Sequence, residues 1–200
     1  AQTHLSKLHD SLDKLEKDQS TEDLPFTRAE LFFLEGRCQL ALDRSNEALA
    51  SLIAAIASDN QFVEYYTATI GLASRLGDQV PTQEQLKELL AQENRESVEV
   101  SEELLAVFPS APTDDTAEEA PQTDEGNIRA IDKDKIPQIL SREQILQSAA
   151  QPLINFLLQE LGNKVEPKYR AHLARAQYFL QTGDVTKSQE ELELAQAAAP

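Results

Sequence analysis

The sequence predicts an all-α protein: an array of antiparallel helical hairpins, an α-solenoid, interrupted by an acidic, partly disordered insertion. Three observations predict it. Apolar residues recur with helical spacing rather than strand alternation. Several of these positions return 34 residues later in one register. Between Arg95 and Gly126, ten acidic side chains meet one basic one, which supplies -9 of the chain's net charge of -17.

Composition narrows the class. The chain has 200 residues, enough for one domain or a short array of repeats with a real core. Its 40% hydrophobic content is too high for a wholly disordered protein. A net charge of -17 repels phosphate backbones and anionic lipid surfaces. Nucleic acid and membrane insertion are therefore excluded as expectations, and a basic protein partner is favoured. No apolar run approaches membrane-spanning length. With one cysteine, Cys38, no disulfide forms within the chain, and the redox compartment stays open. The expected location is cytoplasmic, with a processed exported form left open. The alanine start and the lack of methionine suggest a processed form or a fragment of a longer protein.

Three segments organise the chain. Residues 1–94 hold an N-terminal helix and two hairpins. Residues 95–138 form the flexible acidic insertion. Residues 139–200 hold a long helix or degenerate hairpin, followed by a last hairpin. In the first segment, Leu5, Leu8, Leu12 and Leu15 make a seam on a helix over 3–18, packed on the next hairpin. A helix from about Thr27 to Leu42 carries apolar residues around much of its circumference, including Leu31, Phe32, Leu34 and Cys38, and should be well buried. The polar turn from Asp43 to Asn46 returns the chain into a helix whose face is Ala48, Leu49, Leu52, Ala55 and Ile56, so each helix covers the other. Phe62, Tyr65, Tyr66, Thr69 and Ile70 begin the next face, which Leu86, Leu89 and Leu90 continue after Pro81. Phe32 to Tyr66 is 34 residues, and so are Leu52 to Leu86, Ala55 to Leu89 and Ile56 to Leu90. Gly36, Ala48, Leu52 and Ala55 share their spacing with Ala176, Ser188, Leu192 and Ala195, and Gly183 is placed as a helix C′ residue.

These residues resemble the tetratricopeptide repeat (TPR). Phe32 with Gly36, Glu47-Ala48, Ala55, Gly183-Asp184, Ala195 and Pro200 fit its pattern. Gln39, Ile70 and His172 depart from it. The resemblance covers 29–92 and 168–200. It implies a groove lined by the first helix of each unit that binds a peptide or a partner subunit. Carried onto this chain, the groove residues are Glu30, Phe33, Arg37, Leu40 and Ala41, then Arg170, Leu173, Gln177 and Gln181. Arg37 and Arg170 suit an acidic or C-terminal carboxylate ligand, unless neighbouring glutamates pair with them. Phe33 and Leu34 stand where the family's chaperone clamp has polar residues, which argues against that ligand.

Within the insertion, SEELLAVFP places Leu104, Leu105 and Phe108 on one helical face behind a Ser101 cap. The face is either a docking motif for a partner's groove or the protein's own, or a short helix packed permanently on the repeats. Ser141 with Gln144 forms a capping box for a helix running to Leu161. Pro152 either kinks that helix or splits it into a hairpin near Ala149-Ala150.

No catalytic constellation emerges. His4 and His9 are five apart, which places them on different helix faces, and the acidic run lacks a calcium-loop spacing, so no metal is expected. No glycine-rich phosphate loop is present and no cofactor is expected. Cys38 has no sequence-local activating base. Two function classes remain. One is a non-catalytic interaction scaffold or adaptor inside a larger complex. The other is an accessory or regulatory domain of an enzyme whose catalytic part lies outside this chain. The first is the expectation, and the chain itself is expected not to be an enzyme.

Overall fold

The computed structural model describes Lys7 and residues 27–91, 98–110 and 147–200. The leucine seam expected over 3–18, the Ser141–Gln144 capping box and the part of the insertion spanning 111–138 lie outside the described residues. Every regular element among the described residues is helical.

Helix α1 (Arg28–Ala41) starts at a reciprocal cap. The Glu30 N–H donates to Thr27 Oγ1 at 3.2 Å, and the Thr27 N–H donates to Glu30 Oε2 at 2.7 Å. Helix α2 (Ser45–Ser58) follows, and every residue from Ala48 to Ile56 is buried. A Cβ on Gly36 would lie 3.0 Å from Leu52 Cγ and 3.1 Å from the Ala48 carbonyl oxygen, so α1 and α2 approach closely there. Ser51 Oγ, also buried, donates to Gln39 Oε1 at 2.7 Å, which explains why a glutamine is tolerated at that inward position.

Deep burial belongs to α2 and not, as its apolar wrap suggests, to α1. Leu34 of α1 is exposed, and Phe33, Cys38 and Leu40 are only half-buried. The reason is neighbours: α2 also packs against α3 (Val63–Leu76) and α4 (Gln83–Leu90), whereas α1 packs mainly on α2. Burying one Leu, Ile or Phe side chain contributes about 1.5–3 kcal/mol, so the α2 surroundings dominate the core.

The second unit departs from the sequence expectation. Helix α4, opened by a Thr82–Gln85 capping box, packs on α2 rather than chiefly on α3. The principal partners of α3 are α2 and α6 (Gln151–Lys164), the latter supplied from beyond the insertion. Helix α6 settles the question at Pro152. The chain turns at Ser148–Ala150, and α6 begins afresh with Pro152 in its first turn, where the missing N–H has no intrahelical acceptor to lose. A hydrogen bond from the Ala149 N–H to Asp78 Oδ1, 2.8 Å long, ties this turn to the short 3-10 turn Gly77–Gln79 after α3. Leu153, Ile154, Leu157, Leu158 and Leu161 are then buried.

The docking motif is packed on the protein's own helices. In α5 (Glu102–Ala106), capped by Ser101, Leu104 is buried, as is Phe108 just beyond, and both join the main core. Leu105 is half-buried, and the Gln83 N–H donates to the Pro109 carbonyl at 2.9 Å.

Helices α7 (Lys168–Gln181) and α8 (Val185–Ala198) end the chain and pack on each other. Their connection repeats two hydrogen bonds of the one between α1 and α2. Arg44 N–H donates to Gln39 O and Asp43 N–H to Leu40 O; 140 residues later Asp184 N–H donates to Phe179 O and Gly183 N–H to Leu180 O. This is the Schellman pattern, with Asp43 (φ 58°) and Gly183 (φ 77°) in the left-handed region. His172 of α7 pairs with a carboxylate of α8. Its Nδ1 lies 2.7 Å from Glu191 Oε2, and an Arg175 guanidinium nitrogen lies 2.7 Å from Glu191 Oε1. The buried Glu191 is thus held from both sides, as a buried carboxylate must be. No helix among the described residues is long and apolar enough to cross a membrane.

Candidate functional site

A groove of about 740 Å³ runs between α3 and α7. Its floor is apolar: Ile70 of α3, Leu161 of α6 and Ala174 of α7 are buried beneath it. Its α7 edge carries Arg170, Leu173, Gln177 and Gln181 in steps of three and four, which is one helical face. Its α3 edge carries Val63, Thr67, Gly71 and Ser74 on the matching face. Leu173 remains 46% exposed on that edge. Gly71 leaves the wall open, since a Cβ added there would meet nothing within 4 Å. Ser74 Oγ is buried without a hydrogen-bond partner, a polar atom beside the apolar floor.

The residues expected to line one groove fall into two groups. Arg170, Gln177 and Gln181 line the α3–α7 trough. Glu30, Phe33 and Arg37 do not line it. Glu30 is held in the α1 cap, and the Phe33 ring packs tilted against Tyr65 with centroids 5.0 Å apart. The Arg37 guanidinium lies over the Phe33 ring, 6.0 Å from its centroid. Arg170 pairs across the groove mouth with Glu64 at 3.3 Å. With both partners about half exposed, that pair contributes at most about 1 kcal/mol and opens readily to a competing ligand. The α3 wall escaped the sequence reading, which followed only the inward face of α3. The signal for it was Thr67, Gly71 and Ser74, small residues at helical spacing beside that face.

Tyr178 lines the groove, whereas Tyr65 of α3 lies against Phe33 of α1. Burial, then the nearby Glu30, Asp59 and Glu64 carboxylates, push the Tyr65 hydroxyl up to about 12. Burial raises Tyr178 as well. Among the described residues, no three or more His, Cys, Asp and Glu side chains gather in a cluster able to hold a metal ion. Cys38 is a half-buried free thiol. No protein-family model, curated protein or solved structure matches the chain.

Proposed function

We propose that the chain is a non-catalytic interaction module of a larger assembly. In this reading α1–α2 and α7–α8 are antiparallel hairpins of the TPR kind, and the α3–α7 trough receives a segment of a partner protein. The observation that carries it is the trough itself: a buried apolar floor between two exposed edges, with an open wall at Gly71. Grooves of this construction take apolar side chains along the floor and fix register through the rim. The matched Schellman turns and the shared 12-residue spacing of Gly36–Ala48 and Ala176–Ser188 support the repeat reading.

Gly71→Leu tests it. The new side chain fills the trough without touching the core, so folding stability is retained while partner binding is lost. Affinity capture from the native source, comparing wild type, Gly71→Leu and Arg170→Glu, reads the outcome. A stoichiometric partner absent from both variants supports the groove. A partner held equally by all three moves the interface elsewhere, and the absence of any partner sinks the reading.

A further inference from the structure

A second groove, of about 620 Å³, lies between α6, α7 and the start of α8, and shares Tyr178 and Thr182 with the trough. Its α6 wall is a row of carboxamides: Gln151, Asn155, Gln159 and Asn163, each four residues after the last. Four residues of helix rise about 6 Å. In an extended chain every second residue turns its N–H and C=O to the same edge, and two residues span about 6.6 Å. The row therefore repeats nearly in step with one edge of an extended peptide, and the side-chain rotamers absorb the difference. From Gln151 to Asn163 the helix rises about 18 Å, the length of about five extended residues.

The row is open. Among the described residues its one carboxamide hydrogen bond runs from Gln151 Nε2 to Asn155 Oδ1 at 2.7 Å. Gln151 Oε1 is buried and has no partner, while Asn155, Gln159 and Asn163 are exposed. On the α7 wall, Arg175 Nε is also buried without an acceptor. Its guanidinium is already held: one nitrogen lies 2.7 Å from Glu191 Oε1. A Cβ on Gly162 would lie 3.0 Å from Arg175 Nη1, so the glycine leaves the room this group occupies against α6. Tyr178 and Phe179, packed edge-on with centroids 5.5 Å apart, supply the apolar part of the wall. Arg175 is balanced by Glu191, and Lys187 by Asp184 at 3.6 Å. With those charges balanced, what the groove offers is a line of unused donors and acceptors.

We propose that this groove binds the main chain of an extended segment of a partner protein, laid along α6 as a strand. Gln159 and Asn163 each donate through the NH2 to a main-chain carbonyl and accept, through the oxygen, the N–H of the same residue. Gln151 and Asn155, already joined to each other, offer one acceptor and one donor between them. Gln151 Oε1 and Arg175 Nε, towards opposite ends of the groove, gain the partners they lack. Pairing of this kind fixes register through the main chain and leaves side-chain choice to the aromatic wall, as when a strand is added to a sheet. Nothing in it depends on the trough being filled.

The probe is the blocked peptide Nα-acetyl-Thr-Val-Thr-Val-Thr amide, titrated into the isotope-labelled full chain while side-chain N–H signals are followed by NMR. Two further peptides are N-methylated, one at its second and fourth residues, the other at its first, third and fifth. Each thereby loses the N–H groups of one edge. Saturable shifts are expected at the Asn155, Gln159 and Asn163 carboxamides and at Arg175 Nε–H. One N-methylated peptide keeps them and the other loses them, because only one edge faces α6. Gln159→Leu and Asn163→Ala each weaken binding about twofold to tenfold. Gln196→Leu, which removes an exposed carboxamide of α8, leaves it unchanged. Thermal unfolding of each variant confirms that it is folded. Equal affinity for the two N-methylated peptides overturns the proposal, since the groove then does not read a main-chain edge. Binding that persists undiminished in Gln159→Leu and Asn163→Ala overturns it too, as do silent signals up to several millimolar peptide.

Discussion

Asp78 accepts a 2.8 Å hydrogen bond from the backbone N–H of Ala149, 71 residues further along the chain. The bond joins the turn after α3 to the turn before α6, and so sets the start of the helix that covers α3 and floors the groove. Asp78→Ala removes the acceptor and is expected to lower unfolding stability by about 1 kcal/mol. Asp78→Asn, which keeps a side-chain oxygen, restores most of it. Urea denaturation of the three proteins measures both.

One substitution at two glycines should act with opposite sign. Gly36→Ala puts a methyl 3.1 Å from a backbone oxygen of α2, which cannot swing aside, and 3.0 Å from Leu52. A loss of about 1–3 kcal/mol is expected, despite alanine's better helix propensity. Gly71→Ala meets nothing and should gain about 0.5–1 kcal/mol. A gain at both positions in chemical denaturation would mean that α1 and α2 are not in this contact.

The paired turns give a second matched comparison. Gly183→Ala forces a Cβ into the left-handed region and should cost about 1–2 kcal/mol. Asp43→Gly relieves the same region at φ 58° and should be neutral or stabilising by a few tenths of a kcal/mol. Melting temperatures falling for the first and holding or rising for the second are the expected result.

Tyr65 makes stability depend on alkaline pH. Its native pKa of about 12 lies above the ordinary value of 10.0, so the native state holds the proton more tightly than the unfolded chain. The resulting stabilisation is complete below pH 10.0 and is lost as pH rises towards about 12. In Tyr65→Phe the buried, unpartnered hydroxyl disappears. That variant should be at least as stable at neutral pH and should unfold less steeply with rising alkali, as followed by circular dichroism.

Much of the local structure was legible because its causes are local. The Thr27 cap, the Ser101 cap and the Gly183 stop depend on side chains within a few residues of the backbone they satisfy. That Arg170, Gln177 and Gln181 share one helical face was legible for a related reason, whichever helix stands opposite. The other wall of the groove was not, because a helical period specifies a face but not its partner. Arg37 lies over its neighbour Phe33, and Arg170 pairs with Glu64, the glutamate pairing that the sequence left open for it.

Leu52 and Leu192 show where that boundary lies. They hold the same place in the repeated spacing, yet Leu52 is fully buried and Leu192 is 49% exposed. Around Leu192 the residues spaced as Leu49, Ile53 and Ile56 are around Leu52 are Gln189, Glu193 and Gln196, so that face of the last helix is polar. By itself the sequence determined the helical class, the caps, the turns and the inward stripe of most helices, all of which arise from interactions within a few residues. Tertiary structure alone decided that α6 rather than α4 completes the packing of α3, that α2 rather than α1 is the buried centre, and that a trough opens between α3 and α7. Those outcomes depend on which apolar stripes meet. Stripes of similar width are interchangeable until shape, such as the close approach at Gly36, and anchors, such as Asp78 on Ala149, select among them.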